Sequence, residues 1–252
     1  MNAHRQLITK MLDALFERYD TEEAGPMLAT DYIQHNPHLA TGSQPILDVI
    51  PTLKDHGLKR RYLRGVCEGD MIVFHNAYEN ADLFGTSEMV SFDVFRVADG
   101  KVAEHWDNMV ATVPADKTSS GNSSLDGETE ISDLDRTADN KAIVNNYVAE
   151  LCAKGADAAV QNFVDTKDFV QRSPSVGAGI EGIREMLNKQ RYLKPHFTIA
   201  EGNFVFVASE GVEGDQAMAY FDLYRVQSGK IVEQWSINDS IPDKMVHDNG
   251  KF

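Results

Sequence analysis

The chain has 252 residues, of which 42% are hydrophobic and 25% charged, with a net charge of −15. That length suits two domains of about 100–150 residues each. Such acidity argues against a nucleic-acid binder, which needs a basic surface, and against adhesion to an anionic membrane.

In chain order, residues 3–19 place Leu7, Met11, Leu12, Leu15 and Tyr19 on one helical face. Acids among these apolar residues are unlike a signal peptide, and no run approaches the ~18 apolar residues of a membrane span. The expected address is cytoplasmic. A short helix near 22–29 and a strand over 31–35, ended by Pro37, follow. Gly42 precedes a helix over 43–55. The period then changes to two, and 59–68, 70–80, 86–97 and 101–112 read as strands. The last two meet at the turn Ala98-Asp99-Gly100-Lys101. The basic run Lys59-Arg60-Arg61-Tyr62-Leu63-Arg64 reads as a solvated strand edge.

Residues 118–136, rich in Ser, Gly and Asp, read as an exposed linker, and Thr137 or Asp139 as the next helix cap. Then the pattern returns. SFDVFRVADGKVAEHWDNM (91–109) comes back as YFDLYRVQSGKIVEQWSIN (220–238), identical at eight of nineteen positions. Tyr32-Ile33-Gln34-His35-Asn36-Pro37 returns 137 residues on as Phe169-Val170-Gln171-Arg172-Ser173-Pro174. Val144, Tyr147, Val148, Leu151 and Cys152 repeat the first helical face. Cys67 and Cys152 fall at non-matching places, which argues against a disulfide framework. The expected division is 1–117, a linker over 118–136, and 137–252. Each repeat reads α-α-β-α-β-β-β-β, a curved antiparallel sheet wrapped around helices, in the α+β class.

The helix order, the YIQHNP strand, the G-x-x-x-I helix and the F-D-x-[FY]-R-V…G-K-[IV]-x-E-x-W hairpin resemble SnoaL-like proteins. These belong to the nuclear transport factor 2-like superfamily. The tail from Ile241 to Phe252 is similar to the end of this group. The resemblance implies two cone-shaped domains. In SnoaL-like cyclases a strand aspartate acts as general acid/base, and Asp107 matches it. Asp93 stands where the family carries a histidine. Asn36 stands where related isomerases carry a carboxylate, and an amide cannot be that base. It can still hydrogen-bond an enolate oxygen.

The turn at 98–101 pairs residues whose numbers sum to 199 or 200. In the second register Asp93 faces Asp107 and Phe95 faces His105. Two carboxylates so placed should split their pKa values, one rising, which suits enolisation, aldol-type closure or dehydration beside a carbonyl. His35, Asn36, His75, His105 and Trp106 are the expected substrate-binding residues. Phe92, Val94 and Trp106 share the opposite face, which is the alternative pocket face. In the second repeat Asp93 is kept as Asp222, while Asp107, His35, Asn36 and His105 become Ser236, Arg172, Ser173 and Gln234. The second site therefore reads as degenerate. Histidine spacing gives no metal motif, and no phosphate loop or nucleophile elbow occurs, so neither metal nor cofactor is expected. The expected function is cofactor-independent acid/base chemistry on a small carbonyl compound. The alternative is a non-catalytic binding or oligomerisation module. The domains are expected to pair with each other as a pseudo-dimer, or with a second chain as a homodimer.

Overall fold

Two five-stranded sheets share one strand order in the computed structural model, which describes residues 2–154 and 156–252. The chain divides into two α+β units. The first comprises 1–111 with 242–252, the second 112–241.

In the first unit α1 (Ala3–Asp13) starts at Asn2, whose side chain accepts from the His4 and Arg5 amides. It runs on as a wider π-helical turn over 14–18 and stops at Tyr19, whose φ is 54°. Next come α2 (Thr21–Ala24), β1 (Leu28–Gln34), α3 (Ser43–Asp55), β2 (Lys59–Glu68), β3 (Met71–Glu79), β4 (Glu88–Ala98) and β5 (Lys101–Ala111). The second unit repeats the plan with α4 (Thr137–Lys154), α5 (Ala156–Phe163), β6 (Val170–Gln171), α6 (Gly179–Leu187), β7 (Gln190–Glu201), β8 (Phe204–Glu213), β9 (Gln216–Gln227) and β10 (Lys230–Ser240). Ile8, Met11 and Leu12 of α1 and Leu15 of the π-helical turn pack with Ile50 and Leu53 of α3 and with Phe74, Tyr78 and Phe95 of the sheet. Burying side chains of this size contributes about 1.5–3 kcal/mol each.

The sheets are not wholly antiparallel. β2 to β5 form an antiparallel ladder, but β1 lies parallel to β5, and β6 parallel to β10. A helix and three strands separate β1 from β5, so no tight turn dictates its sense.

Both registers allowed by the turn occur, one after the other. Ala98 pairs with Lys101 and Val97 with Val102; then Ala103 is left unpaired, and Arg96 pairs with Glu104. This one-residue bulge moves the ladder from the first register to the second. It thereby sets Asp93 opposite Asp107 and Phe95 opposite His105. Without it Asp93 would face Trp106, and each β5 side chain would turn to the other face. The second unit bulges at the matching place, between Ile231 and Glu233, and sets Asp222 opposite Ser236. Both hairpin turns need left-handed backbone. Asp99 and Gly100 have φ of 51° and 72°, Ser228 and Gly229 of 52° and 79°.

The basic run lies on β2, an edge strand, as read from the sequence. It is less solvated than expected. Arg60 bonds Asp13 at 2.7 Å and Asn76 at 3.1 Å, and Arg64 is buried against His75 at 2.6 Å. Residues 118–136 are mostly exposed, as expected, but parts of the segment are anchored by hydrogen bonds. Ser119 N donates to Pro174 O at 3.2 Å, Asn122 Nδ2 to Gln171 O at 3.1 Å, and Trp235 Nε1 to Asp126 O at 2.9 Å. Short polar side chains read as linker because they carry no apolar period. Here they are held by backbone carbonyls instead.

Candidate functional site

Strand alternation and the bulge at Ala103 put Asp93, His105 and Asp107 on the face that bears Phe74, Tyr78 and Phe95, the helix-packed face. All three are nearly sealed from water, at 4%, 8% and 5% exposure. Each can present one ligand-type atom within 4.8 Å of the others.

Asp93 is held on both oxygens. Its Oδ2 accepts from Asn76 Nδ2 at 2.7 Å, from Tyr78 OH at 3.2 Å and from Ser91 Oγ. Its Oδ1 lies 3.6 Å from His105 Nε2. Burial pushes the Asp93 carboxyl up, but His105, Ser91 and Asn76 together outweigh it and hold it below its ordinary value. The expected rise therefore does not fall on Asp93, because the group that faces it is an imidazole with hydroxyl and amide donors beside it. Asp107 is oriented by Asn36, whose Nδ2 donates to Oδ2 at 2.7 Å.

The His105 tautomer follows from Gln34. Gln34 Oε1 accepts the backbone N–H of His35 at 3.0 Å and of Asn36 at 2.9 Å, so it is the carbonyl oxygen. His105 Nδ1 lies 3.0 Å from the same oxygen and must donate to it. Nε2 then faces the Asp93 carboxylate, and two lone pairs there would repel. At 3.6 Å this is a facing contact between imidazole and carboxylate, which a proton on Nε2 would make attractive. Tyr32 completes the wall: burial first, then the charges of Asp107 and Asp93, push its phenol well above the ordinary range.

Three of the expected binding residues do not join this set. His75 pairs with Phe92, whose side chain is on the other sheet face, and burial followed by Arg64 pushes it well below its ordinary value. Trp106 is on that other face as well, stacked on His35 with ring centroids 4.8 Å apart. His35 Nε2 bonds Glu104 Oε1 at 2.9 Å, and Glu104 Oε2 takes Arg96 Nε at 2.7 Å. The second unit rebuilds the same arrangement with Arg172, Glu233, Arg225 and Trp235. The exchange of His35 for Arg172 thus keeps a basic group on the glutamate and over the indole. His35 and Asn36, just beyond the end of β1, turn to different partners, Glu104 and Asp107.

Gln34, Asn76, Tyr78, Ser91, Tyr32 and Lys251 are the residues that sequence reasoning passed over. The period of two could have found Ser91, two positions from Asp93 on the same strand, while Asn76 and Tyr78 lie an odd number of positions from His75 and so on the face opposite to it. Nothing local could have found Lys251, whose Nζ donates to the Asp107 carbonyl at 2.7 Å from the far end of the chain.

Asp93, His105 and Asp107 are spaced closely enough to grip a divalent cation. The donors on Asp93 Oδ2 and the hold of Gln34 on His105 already give two of them partners without one.

In the second unit Asp222 is fully buried. Tyr192 OH donates to its Oδ2 at 2.8 Å, and Gln234 Nε2 at 3.2 Å and Ser236 Oγ donate to Oδ1. Here burial wins over these donors and raises the carboxyl above its ordinary value. A cavity of about 410 Å³, lined in part by Leu151, Cys152, Leu187 and Arg191, reaches Tyr192.

No family model matches the chain, and no curated protein matches it. Among solved structures the chain is similar to TsrD from Streptomyces laurentii, at 23% identity and TM-score 0.36, over 42% of this chain and 87% of that one. It is similar to a Kribbella flavida protein provisionally described as a ketosteroid isomerase, at 22% identity and TM-score 0.37, over 42% and 76%. IdmH from Streptomyces antibioticus, provisionally described as a polyketide cyclase, is 20% identical with TM-score 0.35, over 42% and 91%. At these scores and identities the likeness says nothing of this chain's chemistry.

Proposed function

We propose that the first unit is a cofactor-independent acid/base enzyme acting on a small carbonyl compound, by aldol-type cyclisation, isomerisation or dehydration. The observation that carries this reading is the buried Asp93–His105–Asp107 set, with His105 Nε2 facing Asp93 and Nδ1 held by Gln34. Asp107 is the base that takes a proton from the reacting carbon, and Asn36, donating to its Oδ2, orients the carboxyl group. His105 is the acid: its Nε2 faces Asp93 and, when protonated, can donate to the oxygen on which charge develops. Near-exclusion of water makes both transfers stronger than they are in solvent. Asp93 serves His105 rather than Asp107, which revises the tuning role expected from the sequence.

Exchange of the α-protons of small ketones and β-dicarbonyl probes in D2O, followed by proton NMR, tests this. The wild type should outpace buffer, and Asp107→Asn should lose a factor of about 10²–10⁴. Equal rates in the two proteins would sink the reading.

A second reading rests on the cavity at Tyr192. The second unit would bind a small molecule with both polar and apolar groups, without turning it over. Quenching of a fluorescent amphipathic probe that is lost in Tyr192→Phe but kept in Asp107→Asn would support it, and no binding at all would remove it.

A further inference from the structure

The two segments that follow β5 and β10 make matching bonds, each on the unit its own strand does not belong to. Asn249 Nδ2 donates to Gln34 O at 2.9 Å, and Asn122 Nδ2 donates to Gln171 O at 3.1 Å. Val246 N donates to Pro37 O at 3.2 Å, and Ser119 N donates to Pro174 O at 3.2 Å. Both donor pairs lie 127 positions apart, and both acceptor pairs lie 137 apart, so one register serves twice. Residues 242–252 belong to the first unit although they follow the last strand of the second, and residues from 112 onward belong to the second although they follow β5.

In that register Lys251 matches Ser124, and both are buried, at 4% and 2% exposure. The difference follows the sites. Lys251 Nζ lies on the carbonyl of Asp107, a buried carboxylate residue. Ser124 stands in the unit where Asp107 is replaced by Ser236. A buried ammonium or carboxylate is costly unless an opposite charge accompanies it. His105 faces Asp93, and Lys251 places its ammonium on the backbone carbonyl of Asp107. Where the second carboxylate is gone, so is the lysine.

We infer that the two repeats exchange their C-terminal tails, and that the tail of the second completes the site of the first by bringing Lys251 to Asp107 as a positioning residue. The role of Lys251 rests on the acid/base reading above; the exchange of tails does not. A duplicated chain with exchanged tails keeps a degenerate second copy for a reason: it carries a part that the first copy needs. Neither repeat is complete without the other's last dozen residues.

Two surface substitutions in the full chain separate the alternatives, read by backbone hydrogen exchange. Asn249→Ala should speed exchange at 35–38 about tenfold and leave 172–176 alone, while Asn122→Ala should do the reverse, as expected for losing a hydrogen bond or two. If each variant instead loosens the repeat it follows in sequence, or if neither changes these regions, the exchange is overturned. For Lys251, kcat of the α-proton exchange should fall about tenfold in Lys251→Met with KM little changed, and Lys251→Arg should recover most of it. An unchanged kcat in Lys251→Met, or equal loss in both variants, overturns the positioning role. A wild type with no turnover removes the acid/base reading and that role together, while the hydrogen-exchange result still decides the tails.

Discussion

At the scale of single residues, the two matching aspartates make opposite predictions. Asp93 is held below its ordinary value, and unfolded aspartate titrates near ~3.9. Its stabilisation is complete above that unfolded value and fades as pH falls through the folded one. Asp93→Asn should lower stability at neutral pH by roughly 2 kcal/mol, the worth of hydrogen bonds to a charged group, and flatten the acid limb of urea midpoints measured from pH 3 to 7. Asp222 is raised by burial, so its ionisation costs stability as pH rises past the unfolded value. Asp222→Asn should leave the neutral-pH thermal midpoint unchanged or higher. A loss in Asp222→Asn as large as that in Asp93→Asn would contradict the difference drawn between the two sites.

At the scale of elements, the repeat lets one copy interpret the other. The Glu104 cluster and the Glu233 cluster fasten β1 to β5 and β6 to β10 through His35 and Arg172. His35→Arg should therefore fold with a thermal midpoint near wild type, while His35→Ala should lose it by several degrees, since about 1 kcal/mol shifts the midpoint of a domain this size by 4–8 °C. Gly65 on β2 is a second test. A Cβ there would come within 2.8 Å of both Phe74 Cδ1 and Val73 O, so Gly65→Ala should cost about 1–3 kcal/mol, read from urea unfolding. Helices and strands were largely legible in the sequence because amphipathic period and turn residues are local: α3 runs over 43–55 and β2 over 59–68, as expected. The Asp93–Asp107 pairing was legible only as one of two registers. The bulge that chooses between them leaves an ordinary Ala103 in one repeat and Val232 in the other, with no side-chain signature. The parallel sense of β1 was hidden for a similar reason, since nothing near Tyr32 records which end of β5 it meets.

At the scale of the whole molecule, the doubled hairpin announces two similar sheets, and the structure has them. What the sequence conceals is where the ends go. The segment over 118–136 has linker composition because it makes polar bonds to carbonyls, which require no apolar pattern. The last residues carry no local sign of their partners, yet they bond Gln34 and Asp107, more than 140 positions upstream. Long-range backbone contacts of this kind are written in no local period.

The central claim is that chemistry resides in the first unit and depends on Asp107. The most direct measurement is the α-proton exchange rate of Asp107→Ser, which gives the first unit the residue the second already has, beside that of Asp222→Asn. The account predicts that Asp107→Ser falls to the rate of buffer while Asp222→Asn keeps the wild-type rate. An active Asp107→Ser together with an inactive Asp222→Asn would place the chemistry in the second unit and contradict it.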